Sequence, residues 1–93
     1  MPNAHLRRRE GLKAAYHRLS TQKQWALEHL HFAVPIHQTQ LQWKMVRVST
    51  LRGLAHDGLA RQTFLFEQGS TVPIPFWNLT QTGEAMQRAR DGA

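Results

Sequence analysis

The chain changes its hydrophobic period at Gly58. Before it, Leu51 and Leu54 stand three apart, and with Val48 and Ala55 they form the inward stripe of a short helix from about Val48 to Asp57. After it, Leu59 to Glu67 reads as a strand, with Thr63, Phe64, Leu65 and Phe66 at its centre. Gly58 sits where a left-handed residue ends a helix, a conformation that glycine enters without a steric cost. A helix that stops this abruptly and hands the chain to a strand points to a mixed helix-and-sheet fold.

The strand returns after the loop Gln68-Gly69-Ser70-Thr71, over Val72 to Leu79. Pro73 and Pro75 occupy alternate positions there, so their missing amides point to one side; this fits a free edge and rules out a central strand. Thr80 caps a final helix over 80–90, in which Ala85, Met86 and Ala89 make a narrow stripe. Gly83, in its first turn, permits close packing of backbones.

Upstream, Leu12, Ala15, Tyr16 and Leu19 share one stripe of a helix over 10–19. Thr21 with Gln24 has capping-box spacing and opens a helix over 21–33, ended by Val34-Pro35. Thr39 with Gln42 repeats that spacing and predicts a third helix over 39–45, burying Leu41 and Met45. The helix over 21–33 has two apolar sides, with Ala26, Leu27 and Leu30 on one and Trp25 and Phe32 nearly opposite. Such a helix is sandwiched between others or lies at an interface. Trp25 and Phe32 are therefore either core or the surface of a homodimer or another partner.

Ninety-three residues suffice for one small domain, here divided into a basic arm with a short helix (1–19) and the main unit (20–93). A hydrophobic fraction of 41% excludes disorder along the whole chain. The sequence holds neither an apolar run of membrane-spanning length nor a signal-peptide core, and its lack of cysteine suits a cytoplasmic protein. Twelve Lys and Arg against six Asp and Glu give a net charge of +6, which favours a polyanionic partner.

Two stretches carry a resemblance. Leu51-x-x-Leu54-x-x-x-Gly58-Leu59-Ala60-Arg61 is similar to the L-x-x-L-x-x-x-G-L-[VI]-x-R stretch of MarR-like and related regulators. Trp77-Asn78-Leu79-Thr80-x-x-Gly83 is similar to the aromatic-x-L-T-x-x-G where their wing returns into the last helix. Together, in this order and with room for one hairpin between them, they resemble a winged helix-turn-helix domain over roughly residues 20 to 90. The resemblance implies a mainly α fold with a small antiparallel β-hairpin, in which the helix near 48–57 enters the major groove of double-stranded DNA. It places Ser49, Thr50, Gly53 and His56 on the reading face, with Arg47 and Arg52 as flanking phosphate contacts and Arg61 at the start of the wing. It also implies a homodimer on paired half-sites.

Three features bear on that expectation. Gly53 lies in mid-helix, Asp57 puts a negative charge near the presumed DNA face, and the wing loop has no Lys or Arg at its tip. Arg7, Arg8 and Arg9 form either a solvated mobile arm or a tail that adds DNA contacts. The six histidines suggest no metal site, since His29 and His31 would diverge on a helix and no other pair has ligand spacing beside an acid. His56 alone has a second reading, as a hydrogen-bonding reader of bases. Without a glycine-rich phosphate loop, a cysteine nucleophile or a G-x-S-x-G context, the sequence suggests neither an enzyme nor a cofactor. Two functions are expected: a small sequence-specific DNA-binding transcriptional regulator, or a winged-helix adaptor that binds another protein through Trp25 and Phe32.

Overall fold

The structure is a computed structural model that describes residues 4–91, with side chains from residue 10 onward. The elements run α1 (Ala4–Arg18), α2 (Thr21–His29), β1 (Ile36–His37), α3 (Gln38–Trp43), α4 (Val48–His56), β2 (Ala60–Leu65), β3 (Ile74–Leu79) and α5 (Gln81–Arg90). Among the described residues this is an α+β arrangement of five helices and one antiparallel sheet, ordered β1-β3-β2.

The first helix starts earlier than the sequence suggested. Its backbone is helical from Ala4, so Arg7, Arg8 and Arg9 continue α1 instead of forming an arm; their side chains lie outside the described residues. Ser20, not Thr21, caps α2, its Oγ accepting from the Lys23 amide at 3.2 Å. Gln24 serves the preceding helix, its Nε2 donating to the carbonyls of Tyr16 and Leu19 at 3.1 and 3.2 Å. Those are carbonyls that a helix C-terminus leaves without partners.

The second helix ends at His29, four residues before the expected boundary, and Pro35 is not its terminator. Leu30 turns extended (φ −100°, ψ 153°) while staying fully buried. The reason lies across the molecule. The amide of Leu79 donates to the His31 carbonyl at 2.8 Å, and Asn78 Nδ2 donates to the Phe32 carbonyl at 3.1 Å. Leaving the helix early frees these carbonyls for β3, and the two-sided helix that would have carried both Trp25 and Phe32 does not form.

In α3 the cap is His37, whose Nδ1 accepts from the Thr39 amide at 3.0 Å, in place of the expected Thr39. Leu41 is buried as expected, but Met45 is 82% exposed and Val46 fills the core position. The chain passes through Met45 at φ 65°, a left-handed conformation that side chains with a β-carbon rarely adopt.

α4 ends as its sequence dictates. Gly58 has φ 77°, its amide donates to the Ala55 carbonyl at 3.0 Å, and the Leu59 amide donates to the Leu54 carbonyl at 2.9 Å. This paired closure satisfies two terminal carbonyls and turns Leu59 into the core beside Leu54. β2 then pairs with β3 from Ala60↔Leu79 to Leu65↔Ile74, a narrower hairpin than 59–67 with 72–79.

The expectation that two prolines exclude a central strand is corrected. β3 lies between β1 and β2, although β1 reaches only Trp77 and Phe76. The Thr80 amide donates to the Leu59 carbonyl at 3.0 Å, and ladder alternation from there turns the Pro75 nitrogen away from β2. On that side β1 has already ended at His37, so the proline forfeits no strand partner. The core gathers Tyr16 from α1, Leu27 from α2, Leu41 from α3, Leu51 and Leu54 from α4, Trp77 and Leu79 from β3, and Met86 from α5. Its largest fully buried side chain, Trp77, donates its indole N–H to Gln38 Oε1 at 2.9 Å.

Candidate nucleic-acid interface

The outward face of α4 follows from where its leucines point. A helix turns about 100° per residue, so Thr50 lies only about 40° from Leu54 and joins the buried stripe. Thr50 is 8% exposed, and it is therefore withdrawn from the expected reading face. Ala55, expected inside, is exposed instead. Ser49, Arg52 and His56 remain on the exposed side, and Arg47 stands exposed at the helix start as its N-cap. Ser49, Arg52 and His56 form a polar strip along α4, while Arg47, on the leucine side of the helical wheel, adds a cation at the helix start and does not continue the strip.

Gly53 is covered by a neighbour. A β-carbon there would come within 3.0 Å of Lys23 Cε, because the lysine stem from α2 lies across the helix at that point. The lysine's Nζ then reaches Asp57 Oδ2 at 2.8 Å. The carboxylate expected to oppose a DNA face is thus paired with a cation, and the pair sits at one end of the strip. Sequence reasoning missed Lys23, since nothing local ties it to an aspartate 34 positions away.

Arg61 does not join the strip. It follows Ala60, which is buried in the core, and successive strand residues alternate faces, so Arg61 lies on the opposite face of the sheet. There its cross-strand partner is Asn78. The hairpin is apolar where a phosphate clamp would be basic: Phe64, Leu65, Phe66 and Val72 are all exposed.

Trp25 and Phe32 are both roughly half exposed. The Trp25 indole N–H donates to the Lys44 carbonyl at 2.8 Å, and its ring meets His29 edge-on at 4.4 Å between centroids. It thereby braces the turn between α3 and α4. Trp43, which ends α3, and Met45 in that turn, 78% and 82% exposed, are apolar features that sequence periodicity assigned to no surface.

Among the described residues, no three His, Cys, Asp or Glu side chains gather into a group that could hold a metal ion, and no helix is long and apolar enough to cross a membrane. Comparison of the chain with models of protein families, with curated proteins and with solved structures finds no match.

Proposed function

We propose that the chain is a winged helix-turn-helix protein that binds double-stranded DNA through α4 and acts as a transcriptional regulator without catalytic activity. α3 and α4 would form the helix-turn-helix, and β2 with β3 the wing. The element order and the sheet order β1-β3-β2 are compatible with that arrangement. The single observation that carries the reading is the exposed strip Ser49, Arg52 and His56, with Arg47 exposed at the helix start and the nearby Asp57 paired with Lys23. Arg47 and Arg52 are suited to phosphates and His56 to a base edge in the major groove. The net charge of +6 favours the same partner.

Fluorescence anisotropy with a labelled duplex, titrated at rising salt, tests this. Binding that weakens linearly in log–log form as salt rises is expected, because displaced counterions accompany each phosphate contact. Absence of binding near ~50 mM salt would reject the reading, since phosphate contacts are strongest at low salt.

A second reading rests on a different observation. The exposed Trp43 and Met45, with the half-exposed Trp25 bonded to the Lys44 carbonyl between them, offer an apolar surface that suits a protein partner. On this reading the chain is an adaptor, and charge reversal at Arg52 would leave its partner bound.

A further inference from the structure

The two outer edges of the sheet are treated differently. The edge of β3 beyond β1 carries Pro73 and Pro75, which cannot donate to an added strand. The outer edge of β2 has no proline and no lysine, and among the described residues no strand pairs with it. Ladder alternation turns the backbone N–H and C=O of Gln62 and Phe64 outward along that edge. Phe64 is 54% exposed, Leu65 and Phe66 are exposed beside it, and Glu67 follows. An open edge with this apolar content is a template for another strand.

We propose that β2 is a self-association edge, pairing antiparallel with β2 of a second copy about a two-fold axis at Phe64. The occupant and register follow from charge. In a symmetric antiparallel pair, outward-facing residues must meet outward-facing residues, which restricts the axis to a residue position. With the axis at Gln62, Thr63 or Leu65, Arg61 faces Thr63, Leu65 or Gly69 of the second copy. β2 ends at Leu65; with the axis at Phe64 and the strand continued through Phe66 and Glu67 on association, Arg61 faces Glu67 of the second copy and Glu67 faces its Arg61, so one choice makes two ion pairs. Neither Arg61 nor Glu67 forms a salt bridge among the described residues.

The same register matches the faces. Phe64 meets its own counterpart on the face that continues the core side of the sheet, and the continued strand brings Phe66 opposite Gln62 on that face, which gathers four phenylalanines there. Thr63 meets Leu65 on the other face, between the ion pairs. Because the axis is normal to the sheet, both copies keep α4 on the same side of one six-stranded sheet. The inference stands whether or not α4 binds DNA.

Sedimentation equilibrium of the full chain reads the association. A reversible dimer is expected at roughly 100 µM protein, since an interface of this extent belongs to the weak, transient class. Arg61→Glu and Glu67→Arg should each raise the dimer dissociation constant about tenfold, because symmetry makes each change count twice and turns attraction into repulsion. The two changes together should restore it, which a merely misfolded variant would not do. Phe64→Lys should leave a folded monomer by circular dichroism.

Oxidative cross-linking reads the register. The chain has no cysteine of its own, so Phe64→Cys would place the only thiols opposite one another at about 5.5 Å between α-carbons, within disulfide reach. It should cross-link, whereas Gln62→Cys, about four residues off its counterpart, should not. A monomer at every concentration would overturn the proposal. So would a dimer indifferent to Phe64→Lys, or a charge swap that fails to recover association.

Discussion

The carbonyl oxygen of Leu59 lies 2.0 Å from the place a β-carbon on Gly83 would take. That oxygen cannot retreat easily, because it accepts from the Thr80 amide at 3.0 Å. Thr80 in turn donates its Oγ1 to the Gly58 carbonyl at 2.6 Å and accepts from the Gly83 amide at 3.1 Å. One hydroxyl thus ties the end of α4 to the start of α5, and the glycine lets the two backbones touch. Gly83→Ala must push them apart. It is expected to destabilise the fold by about 3 kcal/mol, the upper range for overpacking, as a lowered urea midpoint with an unchanged slope.

Gly53→Ala should behave in the opposite way. Its new β-carbon meets only the far end of the Lys23 side chain, 3.0 Å from Cε, and that end can swing aside. Alanine is favoured over glycine in a helix by about 1 kcal/mol, while the exposed Lys23–Asp57 pair it disturbs is worth about 0–1 kcal/mol. Urea unfolding should therefore show a stability between unchanged and about 1 kcal/mol higher. A loss of stability would mean that the lysine is held more firmly than its exposure suggests.

Met45→Gly isolates a backbone effect. Met45 sits at φ 65° with 82% of its surface exposed, so its removal costs little packing. Relief of the left-handed strain should raise stability by up to about 1 kcal/mol, offset in part by the greater freedom of glycine when unfolded. If the variant is destabilised by more than that, the thioether packs against something in solution, which would favour the adaptor reading.

The parts of the fold visible in the sequence were those fixed by neighbours along the chain. Gly58 and its helix stop, the hairpin that follows, and Thr80 as a cap depend on contacts within about four residues or on strict alternation. The end of α2 at His29 was hidden because Asn78 and Leu79 decide it, nearly fifty positions away. Ser20 and His37 displaced the expected caps by one and two residues, an ordinary ambiguity where several hydroxyl or ring acceptors cluster. Thr50 was misplaced because two leucines define a stripe but not its centre. The structure centres burial toward Leu54 and so draws in Thr50 in place of Ala55. Lys23 over Gly53 joins two helices and had no local signature.

On the proposed DNA-binding reading, these corrections sharpen what each residue of α4 should do. Arg52 is exposed on the flank of the strip, so Arg52→Ala should weaken binding to all duplexes alike and reduce the salt slope by about 1. His56 is exposed at the C-terminal end of the strip, and on the reading that it meets a base edge His56→Ala should cost about 1–3 kcal/mol on a preferred site and little on random DNA. Thr50→Val separates this account from one based on helical periodicity alone. Thr50 is 8% exposed on the leucine side of α4, so the variant should bind every duplex as the parent does. Lys23→Ala should act at a distance from any base: it leaves Asp57 unpaired beside the strip, adding repulsion that lowers affinity most at low salt. Anisotropy titrations of the four variants on one selected and one random duplex would check all of this together. If Thr50→Val loses affinity while Arg52→Ala does not, the strip is not the DNA-contacting surface, and the face around Trp43 and Met45 becomes the one to probe with protein partners.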